Sequence, residues 1–228
     1  SIERTGAAMG VFSGLLDLLF PPRCAFCNHI LRGDERGMCR KCRGSISRTQ
    51  NGGMRTGEFF SVCVSPLVYE RSVRDAILRF KFHDVTAYAE VFGELMADTI
   101  RETLAGRYDL ITWVPLSEKR LRGRGYDQAM LLAMAAALRL DDAPVELLKK
   151  HTDVPAQSGA GSPEKRRANI SGVYAAADEE LIRGKRILLI DDIITTGATL
   201  SECARTLRAA GAEDVVCCTL AQTNEIGK

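Results

Sequence analysis

The sequence predicts an α/β fold, a largely parallel sheet flanked by helices, with a small four-cysteine module ahead of it. Three observations predict it. The run Ile187–Ile190, and Leu110, Ile111, Trp113 and Val114 earlier in the chain, lack polar alternation, as strands buried on both faces of a parallel sheet do. Stretches of helical period lie between and after them. Two Cys-x-x-Cys pairs, Cys24 with Cys27 and Cys39 with Cys42, stand before the first strand-like stretch.

At 228 residues the chain has room for one large domain and a small appendage, and 46% hydrophobic content supports a packed core. A net charge of +2 is too mild to imply nucleic-acid binding by itself. The boundaries read as 1–21 for an amphipathic helix, 22–46 for the cysteine module, 47–58 for a linker and 59–228 for the α/β domain. In the first segment Phe12, Leu15, Leu16 and Leu19 share a helical face, suited to packing on a neighbouring domain or a second subunit. Asp17 interrupts the run and no small-residue cleavage site follows, so a secretory leader is not expected, and the run is too short to span a bilayer. Docking on a membrane surface is the competing reading.

Each cysteine pair clasps one side of a tetrahedral ion. About twenty residues cannot build a core alone, so a metal would supply the folding energy. Four sulfur ligands close the shell, which makes the role structural. A zinc ribbon is the expectation; an iron–sulfur cluster, two disulfides and thioredoxin-like chemistry compete with it. Cys63, Cys203, Cys217 and Cys218 lie in apolar patterns and read as core. With His29, His83 and His151 the only histidines, a cysteine–histidine nucleophile has little support.

Residues 47–58, SRTQNGGMRTGE, have linker composition. From Phe59 the pattern is strand-like through Val62, Val64, Leu67 and Val68, then helical from Val73 to about Phe82. Phe92, Leu95, Met96, Thr99 and Ile100 mark the next helical face. The strand ending at Pro115 leads into a basic, glycine-containing loop with Lys119, Arg120, Arg122 and Arg124, and then into a helix through Met130, Ala133, Met134, Ala137 and Leu138. Such a loop at a strand's carboxyl end can hold a pyrophosphate. A long polar segment, 149–169, reads either as a disordered basic loop or as a lid whose Lys165, Arg166 and Arg167 could reach the same anion.

The most informative stretch is Arg186–Leu207, RILLIDDIITTGATLSECARTL. After the strand, Leu200, Cys203, Ala204 and Leu207 mark one helical face. The intervening Thr195, Thr196, Gly197, Ala198 and Thr199 are small, offer hydroxyls, and precede a helix N-terminus with its unpaired N–H groups, which suits a phosphate monoester. Asp191 and Asp192 at the strand's end would repel that phosphate unless they face sugar hydroxyls, a divalent cation, or both. The combination points to ribose 5-phosphate with a metal. Neither a Walker loop nor a dinucleotide fingerprint is present.

Ile187–Thr199 resembles the phosphoribosyl pyrophosphate (PRPP) motif of type I phosphoribosyltransferases. Together with the two cysteine pairs, VPLSEKRLRGRGYDQA and EKRRAN, it resembles the ComF family, from about Phe20 to Leu220. The resemblance implies a type I phosphoribosyltransferase-like domain behind a zinc ribbon, PRPP with Mg²⁺ as ligand, and a link to natural competence. Single-stranded DNA and competence-machinery proteins are the implied partners, and a cytoplasmic setting is expected. Asp191 and Asp192 would be the catalytic acids, 195–199 the 5-phosphate loop. Hypoxanthine-type enzymes carry an acid where Thr195 stands, and threonine cannot accept a proton at neutral pH. A PRPP-dependent transferase, a PRPP-sensing or adaptor protein, and a single-stranded DNA handling factor are the three functions in view.

Overall fold

The computed structural model describes residues 21–82, 88–150 and 172–224. The expected N-terminal helix lies outside the described residues, as do His83, His151, Lys165, Arg166 and Arg167.

Apolar strands pair in parallel around two long central strands. The strands are β1 (Val62–Val64), β2 (Leu67–Val68), β3 (Leu110–Trp113), β4 (Leu148–Lys150), β5 (Tyr174–Ala176), β6 (Arg186–Ile194) and β7 (Asp214–Gln222). The main sheet runs β1, β7, β6, β3, with β2 also on β7, and every pairing in it is parallel. Leu189 lies opposite Cys217 and Ile111 opposite Leu188. Strands β4 and β5 form a separate antiparallel pair.

The helices are α1 (Arg40–Ser45), α2 (Arg71–Phe82), α3 (Tyr88–Thr103), α4 (Glu118–Arg124), α5 (Gln128–Arg139), α6 (Glu179–Ile182) and α7 (Ala198–Ala209). Strand alternation sends successive side chains to opposite faces, and two cores result. Leu188, Ile190, Val216 and Cys218 join the residues of α2, α3 and α5 on one face. Ile187, Leu189, Val215 and Cys217 join Leu200, Cys203 and Leu207 of α7 and Tyr174 of β5 on the other. The expected core cysteines Cys63, Cys203, Cys217 and Cys218 are all fully buried.

Helices α3 and α5 touch because Gly93 has no side chain: a Cβ there would lie 2.5 Å from that of Ala135. Helix α5 buries Ala129, Leu132, Ala133, Ala136 and Ala137, but leaves Met134 and Leu138 exposed. The expected apolar face was therefore rotated: alanines, not the longer side chains, meet α3 at close range.

The basic stretch after β3 is a helix, not a loop. Ser117 caps it by accepting from the Arg120 N–H, and Gly125, left-handed at φ 81°, ends it. Residues 47–58 do not hang free either. The Arg55 N–H donates to the Cys63 carbonyl and the Cys63 N–H returns to Arg55, so this polar stretch satisfies the outer edge of β1.

The cysteine module shares the first core. Phe26 meets Phe92 edge-on with centroids 5.7 Å apart, and Phe92 meets Phe80 at 5.5 Å. A Cβ on Gly37 would come within 2.8 Å of Val91 on α3. Composition changes between the module and the sheet, but packing is continuous across the change.

Candidate functional site

Two clusters of chemistry-bearing side chains stand out. The first is the cysteine tetrad. The sulfur atoms of Cys24, Cys27, Cys39 and Cys42 all lie within 4.8 Å of one another, with Cys27 Sγ 3.7 Å from Cys39 Sγ. Four sulfurs around zinc at about 2.3 Å stand about 3.8 Å apart by tetrahedral geometry. Backbone N–H groups support the sulfurs: Cys39 donates to Cys24 Sγ at 3.4 Å and Cys42 to Cys39 Sγ at 3.5 Å. Burial works against the Cys24 thiolate, but N–H groups of Cys39, Cys27 and Phe26 outweigh it and bring its pKa down to about 7. No disulfide joins the cysteines of the described residues. The donor set fits a closed, structural Zn²⁺ site.

The second cluster lies at the carboxyl end of β6, where open α/β sheets bind ligands. Asp191 and Asp192 fall in the last part of the strand. Asp192 pairs with Lys81 from the last turn of α2, both side chains largely buried at 15% and 20% exposure. The Asp192 N–H donates to Asp191 Oδ1 at 2.8 Å. Burial, and then the neighbouring Asp192 charge, push the Asp191 carboxyl up to about 8. Two adjacent acids, one of them paired with a lysine, suit a hard cation, which commonly takes one or two carboxylates plus substrate oxygens.

Beyond the acids the chain turns at Gly197, left-handed at φ 76°, and enters α7 with no side-chain cap. Thr195 and Thr196 are exposed; Ala198 and Thr199 are half-buried. Thr196 Oγ1 accepts from the Ala198 N–H at 3.4 Å, and Arg55 Nη1 donates to the Thr195 carbonyl at 3.1 Å. A cavity of about 230 Å³ opens beside this loop, lined by Arg55, Phe60, Thr196, Gly197, Ala198 and Ser201.

The expected basic residues are arranged unevenly. Arg122 lies 3.7 Å from Glu118 on the outer side of α4, and Arg124 Nη1 donates to Gln128 Oε1 at 2.6 Å. The Arg120 charge is close enough to act on the Tyr174 hydroxyl.

Sequence reasoning missed four residues here. Lys81 is one. Asp127 is another: it caps α5 through Met130 N–H at 3.1 Å and holds the Leu116 N–H at 2.9 Å, so it locks the turn after β3. Burial raises its carboxyl, and Asp192 adds to that. An Asp directly before a helical period is an N-cap signal that could have found it. The other two are Lys150 and Tyr174 of the β4–β5 pair, with Lys150 Nζ 3.3 Å from the Tyr174 hydroxyl and 5.1 Å from the ring centre.

Comparison with known proteins fits both clusters. The phosphoribosyl transferase domain matches residues 127–227, and the double zinc ribbon domain matches 15–61. Competence protein F of Haemophilus influenzae is 26% identical over 214 residues, 85% of this chain and 93% of that protein. Over most of its length the chain is thus similar to competence proteins of the ComF family. Competence protein ComFC of Bacillus subtilis is 28% identical over 206 residues, covering 80% of this chain and 82% of its own. Among solved structures, the glutamine PRPP amidotransferase from B. subtilis, complexed with ADP and GMP, is 20% identical with a TM-score of 0.42. That match covers 62% of this chain and 30% of the amidotransferase, so the chain spans under a third of that protein's length. Among the described residues no helix is long and apolar enough to cross a membrane.

Proposed function

We propose that this chain, similar to ComF-family proteins, binds PRPP with Mg²⁺ at the end of β6 and transfers its phosphoribosyl group to an acceptor nitrogen, releasing pyrophosphate. One observation carries the reading: an uncapped helix N-terminus, reached through a left-handed glycine, follows two adjacent, half-buried carboxylates after a short loop. The N–H groups and hydroxyls of 195–199 hold the 5-phosphate and so position the sugar. Asp191 and Asp192 face the ribose hydroxyls. Asp191 and Asp192 would hold Mg²⁺, which when bound would neutralise charge on the pyrophosphate. Lys81 holds Asp192 in place through their ion pair. Arg120, with Lys165, Arg166 and Arg167, supplies countercharge for the leaving group; Arg122 and Arg124 contribute less, because each already has a partner on its own helix or the next. The bond from C1 to the pyrophosphate oxygen breaks, a C1–N bond forms, and the nitrogen's proton passes to solvent or to pyrophosphate. The zinc ribbon is structural.

The relatives are named competence proteins, which supports a place in DNA uptake with single-stranded DNA or competence-machinery proteins as partners. A cytoplasmic setting agrees with four thiols kept for a metal. A second reading, PRPP sensing without turnover, is favoured by Thr195, whose carbonyl is held by Arg55 and whose side chain cannot act as a base. Pyrophosphate release assayed with a panel of nitrogen acceptors separates the two. Turnover requires acceptor-dependent release, whereas a sensor binds PRPP saturably and releases none.

A further inference from the structure

Three consecutive residues at the end of α2 engage three different parts of the molecule. Arg79 Nη2 donates to the carbonyls of Ala25 and Phe26, 2.8 Å from each. These are the two residues between Cys24 and Cys27, so the guanidinium grips the first cysteine knuckle through its backbone. Arg79 Nε is buried and has no partner among the described residues. Leaving a charged donor unpaired is costly, so this side chain is held in place by what Nη2 grips. Phe80 is fully buried, packs on Phe92, and accepts the Tyr126 hydroxyl at its carbonyl. Lys81 pairs with Asp192. Successive helical residues turn by about 100°, so residues 79 and 81 project to nearly opposite sides of α2. The knuckle and the acid pair are therefore joined by one turn of helix.

We propose that Arg79 is a positioning residue for the phosphoribosyl site: it fixes α2 to the metal-binding knuckle, and α2 sets Lys81 against Asp192, so that metal in the cysteine tetrad and PRPP at the acid pair bind cooperatively. The inference rests on reading the acid pair as the PRPP site. A metal holds the Cys24–Cys27 turn in one conformation and so presents the Ala25 and Phe26 carbonyls as fixed acceptors. Without it, the end of α2 loses that restraint. Lys81 then samples positions away from Asp192, and the approaching phosphates meet two carboxylates without their cation. By linkage, PRPP must tighten metal binding by the factor by which metal tightens PRPP binding.

The test uses the full chain loaded with zinc. Mg²⁺-PRPP is titrated calorimetrically into wild type, Arg79→Gln and Arg79→Lys, each with its zinc content measured. Arg79→Gln is expected to keep its zinc and bind PRPP about tenfold more weakly, within the usual range of coupling between sites, with Arg79→Lys between it and wild type. In competition against a chelator, saturating Mg²⁺-PRPP is expected to raise wild-type zinc affinity about tenfold and to leave Arg79→Gln unchanged. Chelation of zinc by PRPP itself would act in the opposite direction. Unchanged PRPP affinity in a zinc-loaded Arg79→Gln protein overturns the coupling and leaves the ligand reading standing. If that variant loses zinc, wild-type competition decides: tighter zinc with PRPP supports the coupling, and unchanged zinc affinity overturns it. Failure of zinc-loaded wild type to bind PRPP overturns the ligand reading, and this inference with it.

Discussion

Lys81 and Asp192 form an ion pair that joins the last turn of α2 to the carboxyl end of the central strand. The pair is the cation's share of an otherwise acidic corner, since Asp191 and Asp127 both lie close enough to feel the Asp192 charge. Lys81→Met leaves a largely buried carboxylate unpaired. Stability is expected to fall by about 1–3 kcal/mol, the usual cost of orphaning a buried polar partner. Adding Asp192→Asn should recover part of the loss, and urea midpoints of the four proteins in the cycle measure the coupling. Additive losses would mean the pair is screened by solvent.

Stability should depend on pH through Asp191. Its folded pKa, about 8, lies above the ordinary value of 3.8 because burial and Asp192 disfavour its charge. For a raised pKa the folded state holds the extra proton, so this contribution is present in full below the unfolded value and is lost as pH rises through the folded one. Wild type should therefore lose stability between about pH 4 and 8 through this group, and Asp191→Asn should flatten that dependence. Urea midpoints at pH 5 and pH 8 check it. An equal change in both proteins would assign the titration elsewhere.

Zinc should be part of the fold. Purified protein is expected to carry one zinc per chain, and Cys24→Ala should lose it and melt at lower temperature, since Phe26 of the same knuckle stacks on Phe92 in the first core. Structural zinc supplies on the order of 10 kcal/mol in isolated fingers. Metal analysis and thermal melts measure both effects. Full metal content in Cys24→Ala would contradict the four-sulfur site.

Gly197→Ala separates folding from binding. The residue is left-handed, and an added Cβ would meet nothing closer than Ile194 at 3.6 Å. The fold should survive at a cost of about 1 kcal/mol, from backbone strain alone. PRPP affinity should drop far more, because the N–H groups after the turn must all face one phosphate. Parallel losses in stability and affinity would argue against a preformed cradle.

The strand–loop–helix at the centre of the site is legible in the sequence because its signals are local. Ile187–Ile190 lie in one run, the acids and threonines follow without a gap, and Leu200, Cys203 and Leu207 declare the helix within one segment. The cysteine tetrad is legible for the same reason. Lys81 is not, because nothing near it in sequence distinguishes a lysine that pairs with Asp192 from one on a solvated helix end. The helix Glu118–Arg124 was hidden by Gly123 and its basic side chains, although Ser117 and Gly125 bracket it with cap chemistry. The rotation of α5 follows from tertiary packing: Gly93 lets α3 approach α5 at Ala135 and Ala136, where a Cβ on Gly93 would collide. The β4–β5 pair is short and starts where the sequence turns polar, so periodicity had nothing to detect.

The most direct test of the account is calorimetric titration of Mg²⁺-PRPP into zinc-loaded protein, beside the Asp191→Asn/Asp192→Asn double variant. Saturable binding by wild type, weakened at least tenfold in the variant, is the expected result, since each charge-assisted contact to the ligand contributes about 1.5–3 kcal/mol. No binding by folded wild type, or equal binding by both proteins, would contradict a phosphoribosyl site at the end of β6.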